Sequence, residues 1–348
     1  MAKGSDAAPG KTLNLALQGG GSHGAFTAGV LDALLEDGRL HFEGASGTSA
    51  GAMNVAVLAH ALARAHEDGL DEARTREAAR AALRRFWDNV GLLGNFTAGV
   101  PLPTAMLTMF TQWLSPAQAN PLGINPLRRL LLREIDFELL ARQRQLKVFV
   151  SATNVRTGRG EVFSGERLSV DAVMASACLP TLFRAVQIGD DHYWDGGYSG
   201  NPAIYPLIYK TRCADVLLVQ INPIEAPYAP DAGVVEIMER VNEITFNASL
   251  LAEMRAIEFV SRLLGEGRLD PARYKDVLLH RVDGGAALAE FGAASKSRSD
   301  SIFVSRLYDL GRSAGHAWLQ AHFDDVGLRS SMEKLTRHKT NPSTKATP

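Results

Sequence analysis

A serine at residue 49 lies in a sequence context that could make it a catalytic nucleophile. Residues 47–51 read Gly-Thr-Ser-Ala-Gly and match the pattern G-x-S-x-G. In this pattern the serine occupies a tight turn between a strand and a helix, where Gly47 and Gly51 avoid the clashes that a Cβ atom would cause. The helix that follows directs its N-terminal amides and its dipole toward whatever is attached to the hydroxyl. The motif therefore indicates nucleophilic attack by Ser49.

A glycine-rich motif upstream of this serine indicates a site for negative charge. Residues 19–24 read Gly-Gly-Gly-Ser-His-Gly and follow an apolar run. Gly19, Gly21 and Gly24 have the spacing G-x-G-x-x-G, which is typical of loops that bind a dinucleotide pyrophosphate. The charge that this loop meets could instead be an oxyanion that exists only during a reaction.

The dinucleotide interpretation has a further requirement. It needs an acidic residue about 20 positions beyond the glycines, at the end of the second strand, to bind a ribose. Glu43 lies near that position, but Gly-Ala-Ser-Gly-Thr-Ser-Ala-Gly follows it directly and is an unusual partner for a ribose. A module that binds NAD or FAD without hydrolysis is therefore the least favoured of three interpretations.

The other two interpretations differ in the base that activates the serine. A serine hydroxyl needs a base at neutral pH. In an α/β-hydrolase-type esterase with a Ser-His-Asp triad, that base is a histidine oriented by a carboxylate. Asp195 could instead reach the serine directly, because its neighbours Gly196 and Gly197 are too small to block it. None of the 9 histidines lies in an evident catalytic loop late in the chain; they are His23, His41, His60, His66, His192, His280, His316, His322 and His338.

The elements that must position these motifs alternate between strands and helices. The apolar run 13–17 predicts a buried strand, and helical spacing after each glycine motif predicts helices over 25–38 and from residue 50 onward. A helix is predicted to end at Pro180, and the segment around Asp195 is predicted to be a turn-rich loop. Further strands are predicted at 146–155, 160–164, 214–223 and 274–283, and a long helix at 233–264. This alternation predicts an α/β fold with a mainly parallel sheet.

The composition excludes several classes of protein. The chain has 348 residues, of which 46% are hydrophobic and 22% charged, as in an ordinary globular enzyme. A net charge of -1 provides no basic field for nucleic acid. The two cysteines form no CxxC pair or Cys/His cluster, so neither a metal site nor a disulfide framework is expected. The first residues lack the apolar core of a signal peptide and no run is long enough to span a bilayer, so a cytoplasmic location is expected.

Together, four segments resemble the patatin-like phospholipases in order and spacing. They are GGGSHG, GTSAG, ASACLPTLFRAV and YWDGGYSGNPAIYPL, within residues 12–225. The resemblance implies a three-layer α/β/α fold with C-terminal helices, and a dyad in which Ser49 attacks and Asp195 takes its proton. It also implies an oxyanion hole formed by the amides of Gly20, Gly21 and Ala50.

The resemblance also divides the chain into regions. We expect a disordered N-terminal tail at 1–11, a catalytic core at 12–225, a helical extension packed on the core at 226–328, and a disordered basic tail at 329–348. One position departs from the family, which commonly has Arg or Lys where this chain has His23. A structural or hydrogen-bonding role is expected for this histidine, because it is mostly neutral at pH 7.

The implied substrates are lipid esters, as for a phospholipase A or a lysophospholipase, with no cofactor and with peripheral contact to a membrane. Residues 95–125 are nearly free of charge and form either an apolar cap over the site or an ordinary core segment. In the first case five side chains would line an acyl channel or dip into a bilayer; they are Met106, Met109, Phe110, Trp113 and Leu114.

Overall fold

The computed structural model describes residues 10–98, 125–180, 182–225 and 234–332. The strands in these ranges are β1 (Lys11–Leu17), β2 (Leu40–Gly47), β3 (Lys147–Asn154), β4 (Gly160–Phe163), β5 (Val186–Ile188), β6 (Asp191–Asp195), β7 (Asp215–Gln220) and β8 (Leu278–Asp283). The helices are α1 (Gly24–Asp37), α2 (Ala50–Glu67), α3 (Glu72–Ala98), α4 (Pro126–Glu134), α5 (Phe137–Arg142), α6 (Val170–Ser176), α7 (Tyr205–Lys210), α8 (Val234–Gly265), α9 (Gly285–Ala289) and α10 (Ser301–His322).

All the described strands form one sheet. Its order is β5-β6-β3-β2-β1-β7-β8, and β4 also pairs with β3. Five neighbouring strands run parallel to one another, namely β3, β2, β1, β7 and β8. Strands β4 and β6 are antiparallel to β3, and β5 is antiparallel to β6. The mainly parallel sheet predicted from the sequence is therefore confirmed. Its last strand, β8, comes from the region after residue 225.

Helices cover both faces of this sheet. Because successive side chains of a strand point to opposite faces, β1 contributes to two hydrophobic clusters: Leu13, Leu15 and Leu17 belong to one and Ala16 to the other. The first cluster includes side chains from α1, α2, α3 and α10, among them Phe26, Val55, Phe86 and Leu307. The second includes Leu207 of α7 and Leu250 and Met254 of α8. The result is the three-layer α/β/α arrangement that was expected.

The strand register places both glycine motifs at the same edge of the sheet. Leu17, the last residue of β1, pairs with Gly47, the last residue of β2. On the other side of β1, Leu17 pairs with Val219 near the end of β7. The loops that follow these parallel strands therefore emerge side by side, as ligand-binding loops do in α/β sheets.

Two predictions about local structure are wrong. Helix α6 ends at Ser176 instead of Pro180, because the amides of Ala177 and Cys178 donate to carbonyls three residues earlier and Pro180 has no amide hydrogen to continue the helix. The Cys178 carbonyl accepts a hydrogen bond from the Asp195 amide at 2.8 Å. Asp195 itself does not lie in a loop. It is the last residue of β6 and pairs with Ala152 of β3.

Some of the expected features fall partly or wholly outside the described residues. This is true of most of the segment 95–125, including Met106, Met109, Phe110, Trp113 and Leu114, and of the tail after Met332. Residues 330–332 are described and bind β8: the Leu279 amide donates to Ser330 Oγ at 3.0 Å, and the Met332 amide donates to the Leu279 carbonyl at 3.2 Å. None of the described helices combines the length and apolar character needed to span a bilayer.

Candidate active site

Ser49 occupies a strained turn between β2 and α2. Its backbone angles are φ 54° and ψ −120°, and it is the only non-glycine residue with positive φ in the described part of the chain. Such strain costs energy and is characteristic of functional turns. The glycines of the motif are required by close packing, since a Cβ on Gly51 would lie 2.1 Å from the Leu17 carbonyl oxygen, and one on Gly47 would lie 2.5 Å from the Gly51 carbonyl oxygen. The sequence motif therefore folds into the expected turn.

Two hydrogen bonds hold this turn in place. The Ser49 amide donates to Ser176 Oγ at the end of α6, at 2.9 Å, and the Thr48 amide donates to the Leu17 carbonyl at 3.3 Å. Ser176 is fully buried. Ser176 lies within the segment ASACLPTLFRAV but could not be recognised from the sequence, because a contact across more than a hundred residues leaves no local pattern.

Asp195 lies beside this serine and is only 1% exposed. Its Oδ1 accepts a hydrogen bond from the Gly197 amide at 2.7 Å, and its carboxyl group interacts with the side chain of Ser49. A Cβ on Gly196 would lie 2.2 Å from the Ser151 carbonyl oxygen, so the turn after Asp195 packs directly on β3. The structure thus brings together the two side chains expected to form the dyad.

Burial changes the acid–base chemistry of this aspartate. Loss of solvation raises the pKa of Asp195 to about 7, and the hydrogen bonds from Gly197 and Ser49 oppose this rise without cancelling it. A carboxylate with a pKa near neutrality is a much stronger base than an ordinary aspartate and is still ionised in a large fraction of molecules at pH 7. The geometry and the electrostatics both suit proton transfer from a hydroxyl.

The glycine loop approaches the serine closely. A Cβ on Gly19 would lie 2.7 Å from Cβ of Ser49, so this residue must be glycine where the two loops meet. The Gly19 amide is already used, because it donates to Asn201 Oδ1 at 2.7 Å. In contrast, no acceptor for the Gly20 or Gly21 amide is present among the described residues, and the same holds for Ala50 at the start of α2. These three amides are available to a ligand.

A buried group of side-chain amides supports the glycine loop from behind. Gln18 Oε1 accepts hydrogen bonds from the amides of Ile221 and Asn222, both at 2.9 Å, and Gln18 Nε2 donates to Asn247 Oδ1 at 3.0 Å. Asn222 Nδ2 donates to the Gly19 carbonyl at 2.7 Å. These residues were not predicted from the sequence. A glutamine directly after an apolar strand was a usable signal, since a buried side-chain amide must find hydrogen-bond partners.

Hydroxyl groups at the end of β2 and in the turn after it attach the loop after Asp195 to the same edge. Ser46 Oγ donates to the Ala203 carbonyl and Thr48 Oγ1 donates to the Gly200 carbonyl, each at 2.6 Å. Together with the bond between Asn201 and Gly19, these contacts join the segments that carry the nucleophile, the base and the glycine loop. The three motifs form one site.

His23 has no permanent charge in this site. It is 2% exposed, and its Nε2 lies 2.7 Å from Ser295 Oγ. Burial, assisted by the positive charge of Lys296, lowers the pKa of His23 to about 3. The imidazole is therefore neutral at physiological pH and acts through hydrogen bonding and packing.

The residues needed for the two alternative interpretations have other partners. Glu43 lies within β2 and not at its end, where it binds Lys147 Nζ at 2.8 Å and the Cys213 amide at 2.7 Å. No histidine in the described ranges hydrogen-bonds to Ser49. His280 does lie between a serine and an aspartate, but it is fully buried on β8 and bridges Ser331 and Asp215. Within the described residues, His, Cys, Asp and Glu side chains form no group of three that could hold a metal ion.

One comparison with known proteins identifies a family. A family model described as patatin-like phospholipase matches residues 15–208, which include both glycine motifs and Asp195. No curated protein matches the chain significantly. Among solved structures, the chain is similar to VipD from Legionella pneumophila, with 16% sequence identity and a TM-score of 0.35, over 87% of this chain and 67% of that one.

Proposed function

The chain belongs to the patatin-like phospholipase family, and we propose that it cleaves carboxylic ester bonds of lipids through a dyad of Ser49 and Asp195. The family implies lipid acyl hydrolysis in general; the dyad, the oxyanion hole and a phospholipase A or lysophospholipase specificity are our proposal. The observation that carries it is the strained Ser49 turn beside a buried aspartate whose pKa is about 7.

In the first half of the reaction, Ser49 Oγ attacks the carbonyl carbon of the ester. Asp195 accepts the hydroxyl proton as the new C–O bond forms. The electron pair of the carbonyl moves onto its oxygen, which becomes the oxyanion of a tetrahedral intermediate. When this intermediate collapses, the ester bond breaks, the leaving alcohol takes the proton from Asp195, and an acyl-Ser49 ester remains.

The oxyanion is stabilised by amides that are fixed before the reaction begins. Gly20, Gly21 and Ala50 carry the three amides that lack an acceptor among the described residues. Loss of one such donor typically costs about 10²–10³ in rate. Because Asn201 and Asn222 hold the backbone of Gly19, the loop needs little reorganisation when charge develops.

In the second half, water attacks the acyl-Ser49 ester. Asp195 takes a proton from this water and returns it to Ser49 Oγ when the second tetrahedral intermediate collapses. The fatty acid leaves and the dyad is restored. No cofactor is needed for either half, because every proton and electron pair is supplied by the ester, the water or the dyad.

An exposed apolar stripe on α8 supports a lipid substrate. On α8, the ring of Phe246 packs against Gly197, so this helix lies next to the catalytic aspartate loop. Two to nine residues earlier, the same helix exposes an apolar stripe with between 45% and 55% of each residue accessible; it consists of Ile237, Met238, Val241 and Ile244. Exposed apolar side chains on a helix that packs on the catalytic loop suit contact with a lipid surface.

Acidic substitutions in this stripe are expected to reduce hydrolysis of aggregated lipid selectively. A variant with both Met238→Asp and Val241→Asp should hydrolyse phosphatidylcholine vesicles about 10-fold more slowly, because charged side chains disfavour insertion at the interface. Its kcat/KM for a soluble short-chain ester should stay within about twofold of the wild type, because the dyad is untouched.

Leu328→Asp is the matched control for this prediction. Leu328 is 77% exposed, so it is at least as accessible as the residues of the stripe. It lies far from the site, because the amide of the preceding residue, Gly327, donates to Asp215 at the start of β7, on the opposite edge of the sheet. Equal losses on vesicles for the control and the stripe variant, or equal losses on both substrates for the stripe variant, would refute a lipid-docking role.

The pH dependence of the reaction follows from Asp195. The carboxylate must be ionised to accept the serine proton, so kcat/KM for a soluble ester should rise about tenfold per pH unit below the pKa and level off above it. The midpoint should lie near pH 7, where burial places the pKa of this group. Activity that is constant down to pH 5 would indicate an ordinary aspartate and contradict the proposed base.

The natural class of substrate can be identified by one experiment. Incubation with phospholipids, lysophospholipids and neutral acyl esters, followed by mass spectrometry of the products, should release free fatty acid and the corresponding alcohol or lysolipid. Absence of product from every acyl ester in the set would contradict the proposed function.

A further inference from the structure

A short segment near the C-terminal end of the chain packs on the glycine loop. We propose that Ser295, within residues 292–296, is a positioning residue that acts through Ser22 and His23 to keep the amides of Gly20 and Gly21 facing Ser49. This inference rests on the proposed function. The segment lies outside residues 15–208, the part of the chain that matches the family model, so the family resemblance assigns no role to it.

The first contact is made by Ser22, which directly follows Gly21. Its Oγ donates a bifurcated hydrogen bond to the carbonyls of Ser295 and Lys296, both at 3.1 Å. Ser22 is 5% exposed, so water does not readily replace these carbonyls. The residue after the proposed oxyanion donors is thus attached to the 292–296 segment.

The second contact has a defined direction. Ser295 Oγ donates its only proton to the Gly292 carbonyl at 2.7 Å, so it must accept from His23 Nε2, also at 2.7 Å. This bond fixes the tautomer of His23, with the proton on Nε2, and fixes the plane of the ring at the start of α1. Because the imidazole is neutral, the bond persists across the pH range of the reaction.

The third contact is steric. A Cβ on Gly21 would lie 2.3 Å from the Lys296 carbonyl oxygen, and Gly21 has φ +58°. The segment therefore lies directly against the loop backbone. Lys296 Nζ also binds Glu243 Oε1 on α8 at 3.0 Å.

These contacts connect the loop to the helix that supports the rest of the site. Glu243 lies one turn before Phe246 and Asn247, which contact Gly197 and Gln18 respectively. A shift of the 292–296 segment would therefore move the oxyanion donors relative to the nucleophile, whose turn is held by separate hydrogen bonds to Ser176 and Leu17. This predicts an effect on the transition state and little effect on ground-state binding.

Ser295→Ala is the test, with Ser295→Thr as the conservative variant and Ser313→Ala as the matched control. Ser313 is exposed on α10 and donates only to the Asp309 carbonyl within its own helix. For Ser295→Ala we expect kcat on a soluble ester to fall about 10-fold with KM within about twofold, a smaller loss than complete removal of an oxyanion donor. Affinity for a trifluoromethyl ketone, which mimics the tetrahedral intermediate, should fall by the same factor.

Hydrogen–deuterium exchange of the peptide that covers residues 18–24 provides a readout independent of activity. Exchange should be faster in Ser295→Ala than in the wild type, and Ser295→Thr should restore both exchange and kcat. Ser313→Ala should change neither.

The outcomes separate this inference from the proposed function. If the wild type hydrolyses esters and Ser295→Ala has wild-type kcat, or loses affinity for substrate instead of kcat, the positioning role is wrong. If the wild type hydrolyses no ester, the proposed function fails, and the exchange experiment alone decides whether Ser295 holds the loop. Unchanged exchange in that case overturns the inference.

Discussion

Replacement of Ser49 by alanine is expected to abolish ester hydrolysis, with a loss in kcat of about 10⁴-fold or more. The variant lacks the oxygen that attacks the carbonyl, and the remaining oxyanion donors can only orient water weakly. Initial rates on a soluble ester, measured at enzyme concentrations high enough to detect residual turnover, give the size of the loss.

This variant should fold normally, which makes the loss of activity interpretable. Alanine keeps the Cβ of serine, so the strain at φ 54° is unchanged, and the Ser49 side chain does not cap α2. The thermal midpoint should therefore match that of the wild type. Ser313→Ala serves as a serine control with full activity. Wild-type turnover in Ser49→Ala would remove the nucleophile from the proposal.

Replacement of Asp195 by asparagine is expected to lower kcat by about 10³-fold, the usual contribution of a general base. An amide cannot accept the serine proton, yet its oxygen can still accept the hydrogen bond from the Gly197 amide. The chemistry is therefore removed while the turn is kept. The rise of activity through pH 7 should disappear from the small residual rate.

The same substitution should increase stability at alkaline pH. The folded-state pKa of Asp195 is about 7, above the ordinary value of 3.8, so between these values the folded protein binds more protons than the unfolded chain and its stability falls as pH rises. At about 1.4 kcal/mol per unit, the ionised carboxylate costs the folded state on the order of 4 kcal/mol at pH 8. Asparagine avoids that cost.

Urea unfolding of wild type and Asp195→Asn at pH 5 and pH 8 tests this second effect. The free energy of unfolding of the variant should exceed that of the wild type by more at pH 8 than at pH 5. Wild-type kcat in the variant would show that this carboxyl group is not the base. A difference in stability that does not depend on pH would show that its pKa is not strongly raised.

The family, the α/β class and the mainly parallel sheet could be predicted from sequence because their signals are local. Apolar runs such as residues 13–17 and the two glycine motifs each span a few neighbouring residues. The position of Asp195 was harder to predict. The glycines that follow it indicate a turn, but pairing with Ala152 of β3 makes the aspartate itself the end of a strand.

The residues that hold the site together could not be predicted in this way. The side chains of Ser176, Asn201 and Ser295 hydrogen-bond to Ser49, Gly19 and His23, each far away in sequence. A serine or asparagine with such a role has no characteristic spacing, because its partner is chosen by the packing of whole elements. The dyad and the oxyanion donors were named from the resemblance and stay predictions that the variants above will test.

The most direct test of the account is chemical labelling of the nucleophile. The wild-type protein is incubated with a fluorophosphonate until ester hydrolysis stops, then digested and sequenced by tandem mass spectrometry. A single adduct on Ser49, formed in proportion to the loss of activity and absent from Ser49→Ala, is the predicted result. Complete inactivation with the adduct on another residue, or full labelling of Ser49 without loss of activity, would contradict the account.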